Sequence, residues 1–346
     1  MSRPNFLKSI AAGPVICAEG YLFELERRGY LQAGPFVPTV VLDHPEKVEA
    51  LHREFVHAGS DAVEAFTYYA HREKMRVVGK EDLIEPLNQQ ALEIARKVAD
   101  ETGTMLAGNV CNTNIYDPTD PDTHKRIRAM FTEQVGWAAD AGVDYMIGET
   151  FSYAEEALIA LDVIQEAGLP AVMMLAVHRA PETREGWTVG DACARLADAG
   201  ADVVGLNCIR GPETMLPLVQ EVLAAVDIPV AALPVPYRTT PAEPSFQSLR
   251  DPDCEVLPSG IPFPTALDPF TCNRYEMADF TVRAQAAGVR YFGVCCGAGP
   301  HHIRAMSQAL GRTPPADSFS EDMTKHAFLG SDDKLSRHNL AYGGQL

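Results

Sequence analysis

The sequence predicts an α/β fold: a (β/α)8 TIM barrel forming a single domain, with a long Pro-rich loop after strand seven. A repeat is the first reason. An amphipathic stretch ends in Ala-Gly or a similar pair and a short apolar run follows, in HAGSDAVEAFTYY, ETGTMLAGNV, DAGVDYMIGETF, EAGLPAVMMLAV, DAGADVVGLNC and AAGVRYFGVCC. PVICAEG near the start and IPVAALPV near residue 230 bring the strands to eight. The second reason is the chemistry of the junctions. Gly closes a helix in the left-handed conformation that other residues avoid, and an unbroken apolar run reads as a strand buried on both faces. The third is that no Gly-rich phosphate loop follows the first strand, which disfavours a doubly wound dinucleotide fold. Eight alternating units in about 300 residues fit the barrel.

The elements follow in order. Between strands two and three lies the helical pattern EDLIEPLNQQALEIARKVADE, then TEQVGWAADAG before strand four. SYAEEALIALDVIQEAG precedes strand five and VGDACARLADAG strand six. After strand seven, residues 234–272 carry nine prolines, which makes a stiff loop where barrels build active sites. It reads either as a wall that sets specificity or as a rigid insertion. Strand eight, RYFGVCC, runs through GAG into a helix opened by Pro300. The barrel is expected over 1–311. The polar tail, 312–346, either packs on a neighbouring subunit in a homo-oligomer or stays loose.

The 346 residues, 46% of them hydrophobic, can fill a large core. A net charge of -18 argues against nucleic acid and against an anionic membrane surface, since both need a basic face. No apolar run approaches membrane-spanning length and no secretory pattern opens the chain, so a cytoplasmic protein is expected. In that setting the eight cysteines are more apt for burial or metal binding than for a disulfide framework.

A barrel gathers the C-terminal ends of its strands around one mouth. Those ends carry Glu19, Tyr68 and Tyr69, Asn109, Glu149, His178, Asn207 with Cys208, and Cys295 with Cys296. Adjacent cysteines cannot form an unstrained disulfide. Cys208, Cys295 and Cys296 are therefore either simply buried or the three ligands of a catalytic zinc ion with an open fourth position. An open position suits a substrate thiol, which zinc holds as thiolate. Phe36, Tyr68 and Tyr69 are either packing or a cage for a methylated cation.

The segments ELERRGYLQAGPF, HPEKVEALHREFVHAGSDAVEAFTYYA, EEALIALDVI, ARLADAGADVVGLNC, LPSGIPFPTALDP and GVRYFGVCCGAGPHHIRAM, spread over about residues 14–310, carry a resemblance. The chain resembles the homocysteine S-methyltransferase family, and most closely its betaine-homocysteine S-methyltransferases. The resemblance implies one Zn2+ on Cys208, Cys295 and Cys296, the homocysteine amino group on Glu19 and Glu149, a backbone donor at Gly20, and donor contacts from Phe36 and Tyr69. Tyr21, Tyr68 and Asn207 complete the expected substrate-binding set. The first loop departs from the family's DGG: it reads EGY, with Tyr21 in place of glycine. Phe36 stands for the usual Trp, Thr150 for a Tyr, and Val294 for the first Gly of GGCCG. The chain also ends short of the full C-terminal arm of the animal betaine enzymes.

The expected function is zinc-dependent methyl transfer from a methylated onium donor, glycine betaine first, to the thiolate of homocysteine, giving methionine. The alternatives are a sulfonium donor (dimethylsulfoniopropionate or S-methylmethionine), another betaine, or a zinc- and thiol-binding protein without catalysis. His178, His301 and His302 are expected to be structural.

Overall fold

The computed structural model describes residues 3–346. Eight strands alternate with helices: β1 (Val15–Ile16), β2 (Ala62–Glu64), β3 (Met105–Cys111), β4 (Tyr145–Phe151), β5 (Ala171–Leu175), β6 (Val203–Asn207), β7 (Val230–Leu233) and β8 (Tyr291–Phe292). All pair in parallel, from β2 through β8 and on to β1. A parallel bridge between Cys17 and Ala62 brings β1 to β2 and rounds the sheet into a barrel. The predicted fold is the observed one.

The expected junctions are present. Gly59 ends the helix Pro45–Ala58 at φ 114°, and Gly103 ends Ile84–Thr102 at φ 72°. Both sit where a side chain would strain the backbone. Asn273 opens the helix Arg274–Ala287 with a reciprocal cap to Glu276.

Alternate residues of the strands fill the barrel. Met105 and Ala107 of β3, Tyr145 and Ile147 of β4, Val172 and Met174 of β5, and Ala231 and Leu233 of β7 belong to one buried cluster. Phe6 and Ile10, from the helix Phe6–Ala12, plug its base. The Phe6 ring stacks on Tyr145 at 4.0 Å, and the hydroxyls of Tyr145 and Tyr291 hydrogen-bond across the barrel at 3.1 Å. Continuing the same two-residue step toward the C-terminal ends reaches Glu64, Asn109, Glu149 and Asn207. The core therefore turns polar within one strand length.

Two strands end earlier than the sequence suggests. β2 stops at Glu64, and Tyr68 and Tyr69 lie in the turn beyond it. β8 stops at Phe292, and the next residue, Gly293, lies so close to the Cys17 carbonyl that a Cβ there would sit 2.1 Å from it. The Pro-rich segment holds only short 3-10 turns, Pro258–Gly260 and Asp268–Phe270. It is tied to the barrel where Phe246 donates its N–H to the Ile209 carbonyl at 2.9 Å and Cys272 to that of Pro236 at 2.8 Å. Past the last barrel helix, Pro300–Ala309, Arg312 pins the chain to Asp61 at 2.6 Å and to the Pro14 carbonyl. The remaining tail carries the helix Arg337–Gly343 and is largely exposed. Among the described residues no helix is long and apolar enough to cross a membrane.

Candidate active site

Three thiols meet at the mouth. Cys208 follows β6 and Cys295 and Cys296 follow β8, and their sulfurs lie within 4.8 Å of one another. Cys208 is held by its N–H donating to the Leu233 carbonyl at 2.9 Å, and Cys295 by its N–H donating to that of Pro234 at 3.0 Å. The turn after Cys296 needs Gly297: its φ is 94° and a Cβ would meet the Tyr237 hydroxyl at 2.1 Å. Cys208 and Ile209 also lie at positive φ, 58° and 62°, a costly conformation for a side-chain-bearing residue and worse for a branched one. Of the seven non-glycine residues at positive φ among the described residues, six (Phe36, Tyr69, Asn114, Thr150, Cys208 and Ile209) line one cavity, so the strain is concentrated at this site.

The thiols fit a metal by their chemistry. Burial alone would raise every thiol's pKa, yet Cys208 is held well below its ordinary value because it accepts hydrogen bonds from the Cys295 and Cys296 thiols. The same sharing pushes Cys295 and Cys296 up. Three sulfurs converging on one point are the arrangement a thiophilic divalent ion completes.

A cavity lies on either side of the thiols. The inner one, about 20 Å3, is bordered by Glu19, Glu64, Asn109, Glu149, Cys295 and Cys296, with Tyr21 among its walls. Its polar groups form one network. Asn207 donates to Glu149 at 2.9 Å and to Glu19 at 3.4 Å, accepts the Thr150 N–H at 2.8 Å, and lies 3.9 Å from the Cys295 sulfur. Asn109 donates to Glu64 at 2.5 Å and to Glu149 at 2.6 Å. Burial pushes the Glu149 carboxyl up to about 7, and burial together with the Glu149 charge pushes Glu19 and Glu64 well above the carboxylate range.

The outer cavity, about 600 Å3, is aromatic. Phe36, Tyr68 and Tyr69 line it as expected, joined by Phe23 and by Phe246 and Phe263 from the Pro-rich loop. That loop is therefore a wall of the site. Phe23 packs on Phe36 at 5.7 Å and Phe246 on Phe263 at 4.9 Å. Lys74 already lies over the Tyr69 ring, 3.9 Å from its centroid. Arg184 is the cationic side chain of the lining, and no carboxylate shares it.

Other expected residues fall as follows. Gly20 sits where a Cβ would lie 2.7 Å from the Ala298 carbonyl, so glycine there lets the first loop pack against the turn that carries Cys295 and Cys296. The Tyr21 ring turns away from the outer cavity, edge-on to His52 at 4.8 Å and Phe55 at 5.5 Å. His178 lies in the outer cavity, 3.4 Å from the Ser152 hydroxyl. His302 is a buried cap: it accepts the Gly299 N–H at 3.1 Å and donates to the Cys272 carbonyl at 2.9 Å, with the His301 ring tilted against it, 3.9 Å between centroids. Sequence reasoning missed Glu64, Phe23, Phe246, Phe263 and Arg184. Glu64 was detectable as a lone carboxylate two residues beyond inward-facing Ala62 in an apolar strand.

A parallel barrel whose mouth gathers three thiols between an acidic and an aromatic cavity defines a thiol-dependent transfer enzyme. The homocysteine S-methyltransferase family model matches residues 17–310, and the chain belongs to this family. It is 35% identical over 338 residues to betaine--homocysteine S-methyltransferase 1 of Danio rerio, covering 95% of this chain and 81% of that one. It is 32% identical over 337 residues to the S-methylmethionine--homocysteine S-methyltransferase BHMT2 of Pongo abelii, covering 95% and 87%. The fold matches that of the homocysteine methyltransferase MmuM of Escherichia coli. Its oxidized form superposes with a TM-score of 0.67 at 20% identity over 88% of this chain and 99% of that one; a metallated form of that protein gives 0.66.

Proposed function

We propose that this enzyme transfers a methyl group from a methylated onium donor, glycine betaine in first place, to the sulfur of homocysteine, giving methionine. The observation that carries the reading is the position of the three thiols between a small acidic cavity and a large aromatic one. Two substrates of opposite needs then meet at one point.

Cys208, Cys295 and Cys296 would hold a zinc ion. Zinc there would supply a Lewis acid that lowers the pKa of a substrate thiol. Glu19 and Glu149 take the acceptor's ammonium, and Asn207, hydrogen-bonded to both, fixes their oxygens relative to the Cys295 sulfur. Phe36, Tyr68 and Tyr69 face the donor's methylated cation, whose positive charge the ring faces stabilise. The sulfur lone pair forms the new S–C bond as the N–C or S–C bond of the donor breaks, its electrons staying on the departing heteroatom. A neutral amine or sulfide leaves, so no general acid is required, which agrees with His302 being occupied as a cap. The chain's contribution is in-line placement and exclusion of water.

A sulfonium donor is the second reading. The similarity to a transferase named for S-methylmethionine is close to that found for the betaine one. The test is methionine formation from homocysteine by zinc-loaded protein, with glycine betaine, dimethylsulfoniopropionate and S-methylmethionine supplied separately. Turnover with one of them, lost in Cys208→Ala, is expected; zinc-loaded protein inert with all three overturns the reading.

A further inference from the structure

Glu64 stands on β2 with 3% exposure, one inward step above the apolar interior. It is the third carboxylate of an inner cavity that contains no cationic side chain. Placing it beside Glu149 is unfavourable unless a proton or a cation offsets the second charge. Its hydrogen bond also fixes Asn109. Both amide hydrogens of Asn109 go to carboxyl oxygens, one of Glu64 and one of Glu149, which leaves its amide oxygen for another donor. That oxygen, Asn109 Oδ1, is buried without a partner, and so is Glu19 Oε1. Two unpartnered acceptors and a surplus carboxylate thus border one small cavity beside the thiols.

We propose that Glu64 is a specificity-determining residue of the thiol-substrate site: with Asn109 it completes a box of acceptors that admits a primary ammonium and rejects any other head group. The proposal rests on the reading given under the previous heading. An –NH3+ group brings three hydrogens, which Glu19 Oε1, Asn109 Oδ1 and the Glu64–Glu149 pair can accept. An N-methyl group has one donor fewer and more bulk. A head without N–H groups leaves Glu19 Oε1 and Asn109 Oδ1 without donors. The same box excludes a quaternary donor, which has no hydrogen to give and far more volume. The two onium groups of the reaction are thereby sorted, the primary one inward and the methylated one to the aromatic side.

The experiment is calorimetric binding to zinc-loaded protein, wild type and Glu64→Gln, of three thiols: homocysteine, N-methylhomocysteine and 4-mercaptobutanoate, which lacks the amino group. Metal content and thermal midpoint are measured alongside. Wild type should bind homocysteine in clear preference to the other two. Glu64→Gln should keep its zinc and midpoint, lose about 10–100-fold in homocysteine affinity, and leave 4-mercaptobutanoate within about twofold. Homocysteine affinity unchanged in the variant, or equal weakening of all three thiols, overturns the role of Glu64. Failure of wild type to bind homocysteine at all would instead overturn the functional reading together with it.

Discussion

Tyr145 and Glu149 lie four residues apart on β4, yet they belong to opposite ends of the molecule. Tyr145 is sandwiched at the base by Phe6 and Tyr291, its hydroxyl satisfied by one partner. Glu149 sits at the mouth among Asn109, Thr150 and Asn207, next to unpartnered acceptors and strained backbone. Both are buried, 0% and 4% exposed, so burial does not separate them. What separates them is completeness. At the base apolar surface meets apolar surface, whereas at the mouth charges and lone pairs are gathered without partners of the protein's own. A closed base lets the mouth be incomplete, because the barrel's stability does not rest on it.

The comparison predicts that damage at the two ends reads out differently, and the largest effect belongs to the mouth. Cys208→Ala should abolish methyl transfer and metal binding while the metal-free protein unfolds at the wild-type midpoint. A large drop in that midpoint would show that the thiols are structural and would break the comparison. Phe6→Ala is the converse. Removing a fully buried ring from the base should cost about 3–5 kcal/mol in chemical denaturation, with KM unchanged for the molecules that remain folded.

The barrel is legible from sequence because periodicity and helix-stopping glycines are local, whereas the Phe6 plug at its base is not. HAGSDAVEAF shows both at once, Gly59 stopping a helix and the apolar run resuming as β2. The three thiols were legible as strand-end residues once eight strands had been counted. Glu64 is easily missed: the apolar run reads as continuing to Tyr68 and Tyr69, whereas the strand ends at Glu64, and only the inward step from Ala62 reveals it. Phe246 and Phe263 were hidden for another reason. Their place in the cavity wall is set by the path of a 39-residue loop, through backbone bonds such as that of Phe246 to Ile209, and no local pattern encodes such a path. The turn of the Tyr21 ring toward His52 and Phe55 is likewise a packing result.

Smaller effects sharpen the contrast. Asn207→Ala removes the group that ties Glu149 to Glu19, and kcat/KM for homocysteine should fall about 10–100-fold, mainly through KM. Unchanged kinetics would mean that the carboxylates position themselves. His52 tests whether incompleteness is confined to the mouth. It is 1% exposed in the helix Pro45–Ala58 behind Tyr21, and neither ring nitrogen finds a hydrogen-bond partner in the protein. Burial pulls it down to about 3. An unfolded histidine takes up a proton below about pH 6.5 and the folded one does not, so stability is intact above that pH and falls as pH drops toward 3. His52→Leu should therefore stabilise the protein, and its advantage should grow by about 2 kcal/mol between pH 7 and pH 5. An advantage independent of pH would show that His52 is protonated in the fold.

The smallest effect is the most specific. Phe36 sits at φ 53°, its ring packed on Phe23 at 5.7 Å and facing the outer cavity. A cation over an indole gains more than over a phenyl ring, by about 0.5–1 kcal/mol. Phe36→Trp should then tighten the methylated donor about 2–5-fold. The backbone strain is already present in the wild type, so a second aromatic side chain adds none of that kind. Homocysteine affinity should not move, because Phe36 borders the outer cavity and not the inner one. If donor affinity stays flat while homocysteine is also unaffected, the cation rests on Tyr68 and on the Tyr69 face opposite Lys74 instead. If both affinities shift together, the two cavities are not independent, and the sorting of two onium groups across three thiols fails as an account of the site.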